Sequence, residues 1–223
     1  MRRVQLMEAA MITIAAHGLT QTTIAHVSAA AGMSRGIINF YFKSKESMLR
    51  ETLAHLLQTE QEAVEAALQK SGDKPVREKL SLVTETLCSS KLYSKKRLGV
   101  WCAFAAHAAS HAPTRYLFEQ SHTLLLKQLT ALCRESGMAT PNLAAQHLLT
   151  LIQGLRFNIA MGANSLDVEQ ILASLHVDKI EAVKAERPKI IPMEKPMAKK
   201  QPKKKTLIEK EDPPVVADLF SAL

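Results

Sequence analysis

The spacing of apolar residues constrains the fold of this chain more than any other feature of its sequence. Apolar side chains recur at intervals of three and four, as in Leu49, Leu53 and Leu56 and again in Val76, Leu80 and Val83. Such intervals place side chains on one face of a helix, whereas a half-buried strand would alternate with a period of two. No segment alternates in that way, so the sequence predicts an all-α protein.

Glycines and prolines lie between the apolar stretches, where they can end one helix or begin the next. We therefore expect nine helices. They are predicted near residues 2–16, 23–31, 34–40, 44–70, 75–90, 94–111, 113–136, 141–161 and 166–185.

Composition changes after residue 187. Six of the nine prolines and eight lysines, several of them in the run 199–205, lie in the last 36 residues. We expect 188–223 to be a disordered tail. Its apolar end, 215–223, has the spacing of a short helix that could dock on a partner or on the rest of the chain.

The net charge of +8 is distributed unevenly. Residues 1–50 carry a net +4, residues 51–187 about +1 and residues 188–223 about +3. Nucleic-acid binding needs a local excess of cations, so the first 50 residues are the first place to look for phosphate contacts.

Location can also be predicted. No apolar run approaches the roughly 18 residues that a membrane span needs. The first residues do not have the pattern of a secretion leader, and Cys88, Cys102 and Cys133 are too far apart to form a Cys-x-x-Cys pair. We expect a cytoplasmic protein whose cysteines are small core residues.

Three short helices fit within the first 42 residues, and a turn at residues 31–33 joins the second to the third. Gly32 can adopt the left-handed conformation that closes a helix, and Ser34 can cap the next one. This is the layout of a helix-turn-helix. Its small core is expected to contain Ile24, Val27, Met33 and Ile38.

Outward residues of the third helix would then face DNA. Arg35 can bind guanine or a phosphate, Gly36 allows close approach, Ile37 can touch a thymine methyl and Asn39 can bind adenine. Residues near helix N-termini can anchor the phosphate backbone. The predicted DNA-binding set is Thr22, Thr23, Ser34, Arg35, Gly36, Ile37, Asn39, Tyr41 and Lys45.

The segments 22–24, 29–36 and 39–46 together resemble the N-terminal signature of TetR-family transcriptional regulators. The family usually has His-Tyr-Phe where this chain has Phe40-Tyr41-Phe42, so any hydrogen bond of that histidine is absent. The resemblance implies a homodimer that binds a pseudo-palindromic DNA operator, with a DNA-binding domain at 1–46 and a ligand-binding and dimerisation domain at 47–187. A helical triplet that binds no DNA is the alternative.

The segments 98–106, 151–156 and 166–170 resemble BetI-type repressors. In that group the last two body helices pair with their twins from a second subunit, and Gly154 and Gly162 would permit close approach. The dimer interface predicted on this basis comprises Leu148, Leu151, Ile152, Leu155, Ile159 and Ile171. Alternatively, this apolar stripe is core within one chain.

BetI-type repressors respond to choline, whose quaternary ammonium needs an aromatic cage. The candidate lining residues are Trp101, Phe104, Tyr116, Phe118 and Phe157. Core packing is the alternative role for them, and Arg156 counts against a cation unless it points outward. The expected effector is therefore a small, partly apolar molecule, with a choline-like one as a candidate.

His107 and His111 are four residues apart on one predicted helix, which is a metal-ligand spacing when a third donor such as Cys102 or His122 is near. Capping or solvent contact is the alternative, and we expect neither a metal nor another cofactor. The sequence contains no nucleophile elbow and no glycine loop for phosphate, so enzyme activity is not expected.

The sequence thus predicts a ligand-responsive transcriptional regulator, a repressor in particular. The competing hypothesis is an interaction adaptor that recruits a protein partner through 215–223, where Val216–Phe220 looks like the peptides that bind bacterial sliding clamps. The lysines of the tail could instead tether DNA non-specifically.

Overall fold

The computed structural model describes residues 1–163, and within them the chain forms eight α-helices and no strand. They are α1 (Arg2–Gln21), α2 (Ile24–Ala31), α3 (Arg35–Tyr41), α4 (Lys45–Ser71), α5 (Val76–Cys88), α6 (Lys95–Ala108), α7 (Ala112–Glu135) and α8 (Pro141–Met161). The all-α prediction is confirmed for this range. The predicted helix 166–185 and the tail 188–223 lie outside it.

Two helix ends differ from those predicted from the sequence. Helix α1 continues past residue 16, but Gly18 interrupts its helical geometry with φ 75° and ψ 168°. Helix α6 ends at Ala108, because the backbone turns there and His111 becomes the N-cap of α7, accepting from the backbone N–H of Thr114 at 3.3 Å. The sequence predicted that His107 and His111 lie on one helix. That prediction is wrong, because His107 belongs to α6 and His111 caps α7.

Helices α1 to α3 and the start of α4 enclose the first of three apolar clusters. Val27 of α2 and Ile38 of α3 are fully buried there, and Ile24 and Met33 pack against them half-buried. This is the small core predicted from the sequence. The cluster also contains Leu6, Met7, Ala9, Ala10, Phe42 and Met48.

A second cluster joins α1 to α4 and α6. Met11 and Ile14 of α1 pack with Leu53 and Leu56 of α4 and with Phe104 of α6. Helix α1 thus packs in both the first and the second cluster. A movement of α6 is therefore transmitted through α1 to α2 and α3.

The third cluster lies between α4, α5, α7 and α8. Val64, Leu80, Leu129 and Leu148 are each no more than 4% exposed within it. Among the helices of residues 1–163, none is both long and apolar enough to cross a membrane.

Candidate functional site

The turn between α2 and α3 is built by local interactions. Gly32 adopts φ 61° and ψ 30°, a left-handed conformation that glycine reaches without strain, and Met33 N–H donates to the carbonyl of Ser28 at 3.1 Å. The hydroxyl of Ser34 accepts from the N–H of Ile37 at 3.4 Å and starts α3. These bonds fix the direction in which α3 leaves the turn.

Helix α3 presents one side to solvent. Its residues follow one another at about 100° around the axis, so Arg35, Gly36, Asn39 and Phe40 fall on one side and Ile38 on the other. The first four are exposed, whereas Ile38 is fully buried. This arrangement leaves a cation, an open backbone, an amide and an aromatic ring on one free surface.

The other predicted DNA-binding residues of α2 and α3 differ in their exposure. Thr23 and Ser34 are exposed at the N-caps of α2 and α3, where their hydroxyl groups accept from backbone N–H groups. Ile37 and Tyr41 are half-buried against the first cluster. Their side chains are therefore only partly free to contact a ligand.

Thr22 requires a correction. Its side chain is fully buried, and its hydroxyl donates to the carbonyl of Gly18 at 2.8 Å. It closes the end of α1 where the glycine interrupts the helix. A buried hydroxyl that is already bonded offers nothing to a phosphate, so Thr22 is assigned to the fold of the turn.

Lys45 lies at the first position of α4, next to the capping residue Ser44. Its ammonium donates to the carbonyl of Thr20 at 2.9 Å and has two further protons that no other residue of 1–163 accepts. The side chain thus holds the end of α1 against the start of α4, beside the surface of α3. This second role was not visible in the sequence.

The five aromatic residues predicted to line one ligand site are not brought together. Phe104 is 2% exposed in the second cluster, whereas Tyr116 is 58% and Phe157 52% exposed. Trp101 of α6 and Phe118 of α7 are half-buried and meet edge to face, with ring centroids 5.6 Å apart. We call the pair of Trp101 and Phe118 the aromatic corner. Phe104 is a core residue.

A buried charged group lies between α4, α5 and α8. Arg156 donates from Nη2 to Glu60 Oε1 at 2.9 Å and from Nε to the carbonyl of Leu87 at 3.0 Å, and the two charged side chains are only 3% and 2% exposed. The hydroxyl of Tyr93 donates to the other oxygen of Glu60, and the guanidinium lies over the Tyr93 ring at 4.3 Å. We call Glu60, Tyr93 and Arg156 the buried polar cluster.

The pKa shifts in the buried polar cluster favour a protonated Tyr93 and a charged Arg156. Burial raises the pKa of Tyr93, so its phenol keeps the proton that it donates. Burial is the largest single effect on Arg156 and opposes its charge, but the charge and hydrogen bond of Glu60, together with Tyr93 and Cys88, outweigh it, so the pKa of Arg156 is raised. Burial also raises the pKa of the neighbouring Cys88 to about 11, which leaves a thiol and not a reactive thiolate.

Sequence reasoning missed this cluster and expected Arg156 to point outward if a cation were bound. One signal was present. Glu60 occupies a position of the apolar stripe that includes Leu53, Leu56 and Val64, and a charged residue within a buried stripe is seldom there without a partner.

The predicted dimer interface on α8 is mostly core. Leu148 and Ile152 are fully buried and Leu155 is 6% exposed, all within the third cluster. Leu151 and Ile159 are half-buried against it, and Ile171 lies outside the described residues. The stripe faces this chain's own helices because α7 packs alongside α8.

A different face of α8 is exposed. Its residues are Thr150, Gly154, Phe157, Asn158 and Met161, of which Phe157 and Met161 are 52% and 62% exposed. This face of α8 is therefore available for contact with a second copy.

The histidines His107 and His111 still meet, with ring centroids 4.5 Å apart, although they belong to different elements. Each ring places Nδ1 within 3.1 Å of the hydroxyl of Thr114, and His111 Nε2 lies 3.5 Å from Glu46. Across residues 1–163, no three His, Cys, Asp or Glu side chains form a group suited to a metal ion.

Residues 6–52 match the family of bacterial regulatory proteins called tetR, and residues 76–179 match the C-terminal part of BetI-type transcriptional repressors. The first match contains the whole helix-turn-helix and the start of α4. The second contains the aromatic corner, Tyr93 and Arg156.

Curated relatives agree with these matches. The chain is 30% identical over 190 residues to the HTH-type transcriptional regulator BetI of Paraburkholderia xenovorans, covering 83% of this chain and 95% of that one. It is 29% identical over 179 residues to the protein of the same name from Yersinia pestis, covering 78% and 89%.

Solved structures share the fold. A transcriptional regulator from Pseudomonas aeruginosa has a TM-score of 0.67 at 22% identity, with 78% of this chain and 86% of that one covered. One from Saccharomonospora viridis, solved in complex with choline, has a TM-score of 0.67 at 21% identity, with 78% and 92% covered. Together with the relatives above, these likenesses lead to one conclusion: the chain belongs to the TetR family, has a BetI-type C-terminal part, and is a DNA-binding transcriptional regulator.

Proposed function

We propose that this regulator is a repressor that binds a pseudo-palindromic operator as a homodimer and is released by a small-molecule effector. The observation that carries the proposal is the exposed side of α3, on which Arg35, Gly36 and Asn39 lie together. A guanidinium, an open backbone and an amide are the groups that read base edges in the major groove. The chain acts as a regulator in the cytoplasm, without a catalytic reaction.

The proposal divides the chain into a DNA-binding domain at 1–46, a ligand-binding and dimerisation domain at 47–187, and a tail at 188–223. Two copies of the first domain would place their α3 helices in successive major grooves, about 34 Å apart. The exposed face of α8, with Gly154 at its centre, is the contact we assign to the dimer, because a glycine lets two helix backbones approach closely.

The aromatic corner of Trp101 and Phe118 is the effector site that we assign. Both rings pack against the second apolar cluster, which contains Met11 and Ile14 of α1. A ligand seated there acts directly on the helix that supports the DNA-binding domain. Choline is the first effector to test, since aromatic faces attract quaternary ammonium groups and one structural neighbour holds choline.

Two routes connect the corner to the DNA-binding surface. Helix α4 runs from Lys45 beside α3 to Ser71 and carries Glu60 in its middle. Helix α6 contacts α1 through Arg97, whose Nη2 donates to Glu8 at 3.2 Å, and Glu8 also contacts His55 of α4 at 3.2 Å. Effector binding would shift these helices and favour a dimer whose α3 spacing no longer fits the operator.

DNA binding is tested by fluorescence anisotropy with an operator selected from random DNA. Arg35→Ala should relax sequence preference, whereas Lys45→Ala should weaken all sequences alike and reduce the salt slope by about 1. Lys70→Ala, at the other end of α4, is the control that should change neither. If Arg35→Ala and Lys45→Ala both bind like the unaltered chain, the assignment of the surface fails.

Effector binding has a direct optical readout, because Trp101 is the only tryptophan of the chain. Titration with choline chloride should change its fluorescence and should lower operator affinity. Phe118→Ala should weaken this response, while Tyr116→Ala, on the same helix but exposed, should leave it intact. A fluorescence response that Phe118→Ala does not alter would place the effector elsewhere.

The tail supports two further proposals, a protein partner for 215–223 and a non-specific DNA tether by its lysines. Deleting 188–223 separates them. Loss of affinity for all DNA with a lower salt slope supports the tether, whereas unchanged DNA binding with loss of a captured partner supports the adaptor.

A further inference from the structure

We infer that Phe40 is a base-reading residue that recognises the 5-methyl group of thymine in the major groove. The inference rests on the proposed function, because it requires α3 to lie in that groove. It adds a residue that the predicted DNA-binding set does not contain.

Phe40 is unusually exposed for a large apolar side chain. It is 83% accessible to solvent, and among the large apolar side chains of residues 1–163 only Met1 is more exposed. An exposed apolar side chain is common on protein surfaces and proves nothing by itself. The exposure of Phe40 is informative because of where the residue lies: on the same side of α3 as Asn39 and Gly36, and opposite the buried Ile38.

The surface beside Phe40 is open. Gly36 precedes it by one helical turn, and among the described residues 1–163 a Cβ built on Gly36 would meet only Ser34 Oγ, at 3.7 Å, within 4 Å. Helical side chains lean toward the preceding turn, so the ring of Phe40 borders the space that Gly36 leaves free. A methyl group entering this space would approach the helix backbone at Gly36, on the side of α3 that also carries the exposed ring of Phe40.

The ring of Phe40 has an aromatic contact with the next residue along the chain. Phe40 meets Tyr41 edge to face, with ring centroids 5.2 Å apart and an interplanar angle of 90°. Tyr41 in turn packs half-buried against the first apolar cluster.

The chemistry of base pairs selects the partner. Phe40 can neither donate nor accept a hydrogen bond, so it cannot form one with a phosphate or with a polar base edge. The thymine methyl is the apolar group that a base pair presents in the major groove, and burying a methyl is worth about 0.8 kcal/mol, a factor of about four in affinity. Where the ring meets DNA, a thymine in each half-site is the expected contact.

The test removes the methyl alone. The full chain is used to select an operator from random DNA, and each thymine is then replaced in turn by deoxyuridine. For the unaltered chain, deoxyuridine at one or two positions of each half-site should lower affinity about three- to five-fold. Phe40→Ala should bind the unmodified operator about that much more weakly and should no longer respond at those positions.

Ile12→Ala is the matched control, since Ile12 is a 61% exposed apolar residue of α1. It should retain the full response to deoxyuridine. Circular dichroism should show equal helix content for both variants.

The inference is overturned if the unaltered chain tolerates every deoxyuridine, if Phe40→Ala responds as the unaltered chain does, or if the selected half-sites contain no thymine. Failure of the unaltered chain to select any operator would instead overturn the proposed function, and the inference with it.

Discussion

Arg156 of α8 and Glu60 of α4 form an ion pair in which neither side chain is more than 3% exposed, with Nη2 and Oε1 2.9 Å apart. The carbonyl of Leu87 and the hydroxyl of Tyr93 complete their hydrogen bonds. Four separate segments are thereby joined at one buried point. The helix that reaches the DNA-binding surface is held in register with the helix whose outer face we assign to the dimer.

Removing either charge from this pair should be costly. Arg156→Met and Glu60→Leu should each lower the free energy of unfolding by about 3–5 kcal/mol, because the remaining charge stays buried without a partner. The double variant should recover much of that loss, since two apolar side chains replace both charges. Urea denaturation followed by circular dichroism measures all three.

The ion pair of Lys79 and Glu135, 3.4 Å apart, is the control for the buried one, since its side chains are 18% and 53% exposed. Lys79→Ala should change stability by no more than about 1 kcal/mol. Losses in the buried pair that simply add in the double variant would contradict the coupling.

Leu148 tests whether the apolar stripe of α8 is core within one chain or an interface between two chains. It is fully buried in the third cluster, so Leu148→Ala should cost about 2–5 kcal/mol in unfolding free energy through loss of burial and creation of a cavity. We expect that loss at protein concentrations where the chain is monomeric as well as where it is dimeric. A variant that folds with normal stability but no longer dimerises would restore the interface role.

Gly154 tests the face that we assign to the dimer. Among residues 1–163, a Cβ on Gly154 or on Gly99 would meet nothing within 4 Å, so Ala at either position should stabilise the monomer by about 0.5–1 kcal/mol through helix propensity. Only Gly154→Ala should also weaken the dimer, by about tenfold, because the methyl keeps two helices apart. Sedimentation equilibrium measures the dissociation constants. If both variants dimerise equally well, this face is free of the contact.

Thr22 should affect stability without affecting DNA electrostatics. Thr22→Val keeps the shape but leaves the carbonyl of Gly18 without its bond, which should cost about 0.5–1.5 kcal/mol. The slope of operator affinity against salt should stay unchanged, in contrast to Lys45→Ala. A reduced slope for Thr22→Val would reinstate a phosphate contact there.

The histidine pair should make stability depend on pH. Burial and the neighbouring His111 lower the pKa of His107 below its ordinary value of 6.5, and Glu46 opposes this effect. The unfolded chain therefore binds more protons than the folded chain below about pH 6.5, so stability falls as the pH drops through this range. The fall in melting temperature from pH 7.5 to 5.5 should be smaller in His107→Gln than in the unaltered chain.

His147→Gln, which changes an exposed histidine of α8, serves as the control and should leave the pH dependence as it is. An equal fall in melting temperature for His107→Gln and the unaltered chain would remove His107 from the explanation.

Local features explain why most of the fold could be predicted. The turn of Gly32, the cap of Ser34 and the spacing of apolar residues each act over a few residues, and these determine where helices begin and end. The same locality identified the outward residues of α3. The burial of Thr22 escaped prediction, because it depends on how the end of α1 packs near Gly18.

The sequence by itself determined that this chain is helical, where eight of its helices lie, and that three of them form a helix-turn-helix. Only the tertiary structure decided which neighbour covers each apolar stripe. Packing against a second copy or against its own chain would bury the stripe of Leu148 and Ile152 equally well, since the hydrophobic effect does not depend on which apolar surface covers it. Likewise, Glu60 and Arg156 are 96 residues apart, and only the packing of α4 against α8 could bring them together.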